Sequence, residues 1–288
     1  MDKQKAQNTS KIILKANAPI GVFDSGIGGL TVASGILKHL PQEKIIYFGD
    51  TAHMPYGDKS SDGIRRYCAA IADFLIERGC KMLVIACNSA SAVVTDFLRE
   101  RYHHQIDIVN AIDPIVESIV ETAQQSVVIL ATQATTRSRV YPNKIRHLMP
   151  SINVISIAAR SLATIIEEGL YNNQVLMQTI IEHYLPYEVI HKADGMALAC
   201  THYPIIREQI EKYLKSLQRE HIRIFDSTNT VAAKVKSLLA EKQLLTNNTE
   251  TPEHECFISD NTPGFEQSSI IFFGRVITPT VYDFGEGF

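Results

Sequence analysis

Two of the five cysteines stand where a thiol can do chemistry. Cys87 ends the apolar run Met82-Leu83-Val84-Ile85-Ala86 and is followed by Asn88, Ser89 and Ser91, residue types that open helices. Cys200 ends Met196-Ala197-Leu198-Ala199 and precedes Thr201-His202-Tyr203-Pro204, with proline where a first helical turn tolerates it. Each pattern puts a thiol at a strand-to-helix turn. The free N–H groups and partial positive charge of a helix N-terminus favour thiolate over thiol, so a lowered pKa is expected for Cys87. His202 can exchange a proton near neutral pH or favour a thiolate at Cys200. Two such groups on opposing walls are the minimal apparatus for inverting a stereocentre. A base takes the proton from one face of a carbon and an acid supplies one to the other. Cys68 and Cys80 fit buried structural thiols instead.

Three loops add polar groups. Asp24-Ser25-Gly26-Ile27-Gly28-Gly29-Leu30-Thr31 follows a strand and opens a helix, but Thr31 stands where a dinucleotide fingerprint needs its third glycine, and no Walker lysine is present. The glycines are read as a tight turn using their conformational freedom, and Asp24 and Ser25 as the residues of interest. Gly49-Asp50-Thr51-Ala52-His53-Met54-Pro55-Tyr56-Gly57 is a turn-rich loop just after a strand. Ala131-Thr132-Gln133-Ala134-Thr135-Thr136 offers hydroxyls at a helix start, which suits a bound carboxylate or simple capping.

These segments need a scaffold that brings strand ends together. From Pro19 onward short β-branched runs alternate with stretches of helical spacing, the signature of βα units on a parallel sheet, so the class is α/β. Strands are predicted at residues 20–23, 45–48, 82–86, 108–111, 127–131, 154–157, 196–199 and 223–225. Residues 242–267 are rich in Asn, Thr, Glu and Pro and are expected to be irregular before a last apolar piece, Ile270 to Phe273. Ile85-Ala86-Cys87-Asn88-Ser89 is echoed by Leu198-Ala199-Cys200-Thr201-His202, and Val22-Phe23-Asp24-Ser25 by Ile224-Phe225-Asp226-Ser227. Together the echoes imply two related halves whose strand ends face one another across a cleft.

A chain of 288 residues with 45% apolar and 20% charged residues is an ordinary globular protein. Its net charge of −3 leaves no basic excess for a phosphate backbone, so nucleic acid is not an expected partner. No stretch approaches the roughly 18 to 20 apolar residues of a membrane span, and no membrane partner is expected. Lys15, Asn17 and Pro19 interrupt the apolar start, so residues 1–18 are read as a flexible extension rather than a signal peptide. Widely spaced cysteines without a Cys-x-x-Cys pair suit reduced thiols in a cytoplasm rather than a zinc site. Composition sets no oligomeric state; a homodimer is compatible with it.

Four motifs in order, Gly21 to Thr31, Tyr47 to Gly57, Ile85 to Ser91 and Leu198 to Pro204, closely resemble those of the glutamate racemase family. The likeness runs from about Pro19 to about Gly274. The resemblance implies two pseudo-symmetric α/β domains with mainly parallel sheets and the active site in the cleft between them. One domain would hold residues 19–110 with 207–288, the other 111–206. It implies interconversion of L- and D-glutamate without pyridoxal phosphate or metal, supplying D-glutamate for peptidoglycan. By the same resemblance Cys87 and Cys200 are the proton-transfer residues and Asp24 and His202 their polar assistants. Substrate binding falls to Asp24, Ser25, Tyr56, Gly57, Asn88, Ser89, Thr132, Thr135, Thr201 and His202. Ser89 replaces the family's usual threonine and Ala199 its usual glycine, keeping a hydroxyl and adding a methyl. Where many members have Cys-Pro-x-x-Val-Pro, this chain has Ala159-Arg160-Ser161-Leu162-Ala163-Thr164, ahead of Glu167, which aligns with a glutamate near the family's active site. Competing readings are a relative acting on aspartate or a hydantoin, a regulatory protein on this scaffold, and, less well supported, a cysteine hydrolase, for which no complete triad is visible.

Overall fold

The computed structural model describes residues 14–122, 125–261 and 264–285. Its first run of units is β1 (Ile20–Asp24), α1 (Leu30–His39), β2 (Ile45–Gly49), α2 (Ser61–Glu77), β3 (Met82–Ile85), α3 (Asn88–Arg101) and β4 (Asp107–Asn110). A second run starts with α4 (Asp113–Glu121), β5 (Ser126–Ala131), α5 (Gln133–Ser138), α6 (Val140–Leu148) and β6 (Asn153–Ala158). It continues through α7 (Leu162–Glu167), α8 (Gln174–Tyr184), α9 (Tyr187–Ile190), β7 (Gly195–Ala199), α10 (Arg207–Ser216) and β8 (Arg223–Asp226). The chain then returns through α11 (Ser227–Glu241) to β9 (Glu255–Ile258), α12 (Phe265–Phe273) and β10 (Thr280–Val281).

Two sheets result, of order β10-β9-β2-β1-β3-β4 and β6-β5-β7-β8, and every strand pair in them is parallel. Parallel strands covered on both faces read as continuous apolar runs, and β1, β2, β3, β5 and β7 are buried at every residue. The eight predicted strands are all present, each end within one residue of its expected place. Two expectations are corrected. The stretch 242–267 contains β9, paired with β2, and Ile270–Phe273 is the last part of helix α12. Because β8 hydrogen-bonds to β7, the second sheet extends past residue 206, where the expected division of the chain placed its limit.

The two sheets are joined through a shared apolar core. One cluster runs from Val22 and Val84 of the first sheet, through Leu30 and Ile36 of α1 and Val231 and Val235 of α11, to Leu198 of the second. At the α1–α11 contact a Cβ on Gly35 would lie 2.3 Å from the Thr228 carbonyl oxygen, so only glycine allows this approach.

At the amino ends of the first sheet Lys81, just before β3, is fully buried. Its Nζ donates to Glu43 Oε2 at 2.6 Å, to the Leu244 carbonyl at 2.8 Å and to the Ala16 carbonyl. Asn17 Oδ1 in turn accepts from Thr246 Oγ1 and from the Asn247 N–H. Residues 16 and 17 are therefore tied to the fold and do not belong to a free extension; residues 1–13 of that expectation lie outside the described residues. No described helix is long and apolar enough to cross a membrane.

Candidate active site

Cys87 and Cys200 sit at corresponding places, each one or two residues beyond the carboxyl end of an interior strand, β3 in one sheet and β7 in the other. Both are 6% exposed, and both line one cavity of about 310 Å³. A larger hollow of about 720 Å³ lies beside α10 and β8, but neither thiol reaches it.

Cys87 is itself the N-cap of α3: its Sγ accepts from the Ala90 N–H at 3.4 Å. Across the loop Sγ is 3.4 Å from Ser25 Oγ, which in turn is 3.4 Å from Asp24 Oδ2. The lowered pKa expected from the helix N-terminus is corrected: burial, and then the neighbouring Asp24 carboxylate, push the thiol up to about 12. The cap and the Ser25 hydroxyl pull the other way without prevailing. Burial also raises the Asp24 pKa, against the pull of His202.

Cys200 has different company. His202 Nδ1 is 3.7 Å from its Sγ and 3.3 Å from Thr201 Oγ1, and His202 Nε2 is 2.6 Å from Glu167 Oε1. Burial disfavours the imidazolium, but the hydrogen bonds to Cys200 and Glu167 outweigh it and hold the His202 pKa up at about 10. The ring therefore carries a proton at neutral pH and presents an N–H to the sulfur. Gly28 packs directly against this pair: a Cβ there would lie 2.4 Å from both Thr201 Oγ1 and His202 Cε1. The glycine serves close approach rather than the unusual turn conformation expected of it, since no residue of Gly26 to Gly29 has a positive φ.

Of the predicted residues, Asp24, Ser25, Tyr56, Gly57, Cys87, Asn88, Ser89, Thr132, Cys200, Thr201 and His202 line the cavity. Thr135 does not. It is buried behind the wall, with its hydroxyl 3.4 Å from Ser89 Oγ and its N–H donating to the Thr132 hydroxyl that caps α5. Two polar atoms in the wall are buried with no partner among the described residues, Asp24 Oδ1 and Asn88 Nδ2. The other end of the Asn88 amide is held by the Tyr141 hydroxyl at 2.6 Å, and Tyr56 is held through its hydroxyl by Asp50 at 2.6 Å. The echo of Asp24 in the other half, Asp226, is spent differently: it caps α11 and pairs with Arg207 at 2.5 Å. Sequence reasoning left Glu167 without a role and passed over Tyr141 and Asp50; their partners are distant in the chain or ordinary in type. No group of three or more His, Cys, Asp or Glu side chains among the described residues is arranged to hold a metal ion.

The family described as Asp/Glu/Hydantoin racemase matches residues 29–235. The chain belongs to that family. Among curated members of this racemase family, it is 36% identical over 260 residues to glutamate racemase 3 of Caldanaerobacter subterraneus subsp. tengcongensis, covering 90% of this chain and 92% of the relative. It is 37% identical over 256 residues to the glutamate racemase of Geobacter metallireducens, covering 88% and 92% of the two chains. The solved glutamate racemase of Francisella tularensis, a complex with D-glutamate, superposes with a TM-score of 0.84 at 34% identity, covering 93% of this racemase chain and 98% of that one.

Proposed function

We propose that this chain is a glutamate racemase interconverting L- and D-glutamate by proton transfer between two thiols. The observation that carries the reading is the placement of Cys87 and Cys200 on one cavity from two different sheets. Support comes also from the glutamate racemases it resembles over most of its length.

The two sulfurs have unlike neighbours. Cys87, with a pKa of about 12, keeps its proton. Cys200, facing a protonated His202 supported by Glu167, is the sulfur whose thiolate has a partner. In one direction the Cys200 thiolate takes the α-proton and the Cys87 thiol delivers its own to the opposite face. One C–H bond breaks, another forms, and the enzyme is left with the proton on Cys200 and the charge on Cys87. The reverse reaction runs from that state. Asp24 Oδ1 can accept from an ammonium, and Asn88 Nδ2 with the Ser89 and Thr132 hydroxyls can donate to carboxylates, stabilising charge that develops at the α-carbon. Both proton transfers use the chain's own side chains, so no cofactor or metal enters the scheme. The product D-glutamate would serve peptidoglycan synthesis in the cytoplasm, where five free thiols are at home.

Incubation with either enantiomer in D2O, without pyridoxal phosphate, yields the other one deuterated at the α-carbon, read by chiral chromatography and mass. Cys87→Ser and Cys200→Ser each lower turnover by about 10²- to 10⁴-fold while circular dichroism stays unchanged. A folded sample that neither racemises nor exchanges the α-hydrogen refutes the reading. A panel with aspartate and hydantoins separates it from the family's other substrates.

A further inference from the structure

A cleft that admits an acidic amino acid must overcome its own negative charge. The carboxyl groups lining the cavity are Asp24, Asp58 and Glu167. The cations are His202, whose ring is already engaged by Cys200 and Glu167, and Arg160. Arg160 is exposed, and its guanidinium has no hydrogen bond, ion pair or ring contact with another described residue. The backbone around it is pinned. The Ala159 N–H donates to the Ala131 carbonyl at 2.8 Å, the Tyr203 hydroxyl donates to the Ala159 carbonyl at 3.0 Å, and the Ser161 N–H donates to the Tyr184 hydroxyl at 3.3 Å. An unpaired cation is thus held on a fixed stem at the wall of the cavity.

We propose that Arg160 is a substrate-selecting residue that draws in and holds the side-chain carboxylate of the amino acid. The inference rests on the racemase reading. Glutamate carries two carboxylates and one ammonium and is repelled by a chain of net charge −3. A cation in a concave site focuses the field locally, and a planar guanidinium matches a carboxylate with paired donors. An arginine acting in this way contributes to capture in both reaction directions and leaves the proton transfers alone.

The test is steady-state kinetics of wild type, Arg160→Gln and Arg160→Lys with L- and D-glutamate at low and high NaCl. Arg160→Gln is expected to raise KM about three- to tenfold in both directions, to leave kcat within about twofold, and to flatten the salt dependence of kcat/KM. Arg160→Lys restores the salt dependence and part of the KM. An unchanged KM and salt slope in Arg160→Gln overturns the proposal, as does a loss confined to kcat. Calorimetric titration of glutamate into wild type and Arg160→Gln separates the two levels of inference. Equal Kd values refute the role of Arg160 even if turnover is absent, whereas absent turnover with unequal Kd values refutes only the racemase reading.

Discussion

Glu167 shows how one side chain in the cavity wall can set the protonation of its neighbour. Its carboxylate holds His202 from the side opposite Cys200, and with Cys200 it keeps the ring protonated to about pH 10. Glu167→Gln removes the negative charge and leaves a hydrogen-bonding group of the same size. The His202 pKa then falls, so the alkaline limb of kcat moves to lower pH, and kcat drops by about 10²-fold. The loss is greater in the direction where Cys200 is the base. Profiles of kcat against pH for both enantiomers check this; an unmoved alkaline limb contradicts it. The same shift has a stability sign. His202 has a folded pKa above its ordinary 6.5, so the stability from its charge is complete below 6.5 and is lost as pH rises through about 10. The thiols were legible because each ends an apolar run beside helix-opening residues. The resemblance pointed to Glu167 but not to its role, because in Ile165-Ile166-Glu167-Glu168 nothing local says which carboxylate turns toward a histidine 35 residues away.

At the level of elements, the contact between α1 and α11 links the segments that follow β1 and β8, whose ends carry Asp24 and its echo Asp226. Gly35 makes that contact possible. In Gly35→Ala the new methyl meets a backbone carbonyl, which cannot rotate away as a side chain would, so the helices must separate. We expect a loss of about 1–3 kcal/mol, typical of overpacking, even though alanine is the better helix former. Denaturant titration reads it; a neutral or stabilising result means the helices yield more easily than the geometry implies. Strands were easy to read here because sheets covered on both faces give long apolar runs, as in Met82 to Ile85. The run of β9 is shorter: Glu255-Cys256-Phe257-Ile258 starts with a charge that pairs with Lys44, and only its last two residues are buried. In α12 the buried residues Phe265, Ser269 and Phe272 follow helical spacing, but a serine in the apolar row hides the period.

Over the whole molecule, chemistry and fastening occupy opposite ends of the first sheet. Cys87 lies past the carboxyl end of β3, while Lys81 precedes its amino end and joins the segment before β1 to the one between α11 and β9. Burial lowers the Lys81 pKa, and the Glu43 carboxylate opposes that shift. A buried ion pair of this kind contributes little net stability against an apolar replacement, but removing one partner strands a charge. Lys81→Met therefore costs about 3–5 kcal/mol, because Glu43 keeps only the Thr246 N–H at 2.8 Å. Lys81→Met with Glu43→Leu recovers much of that loss, though not all, since the Thr246 N–H and two carbonyls lose their partners. In both variants the kcat of the folded fraction stays near wild type, because no residue of the cavity wall is touched. Urea titrations of the two variants, with turnover measured below the transition, decide the matter. If the double variant is no more stable than the single one, the clasp is held by its carbonyl contacts rather than by the paired charges.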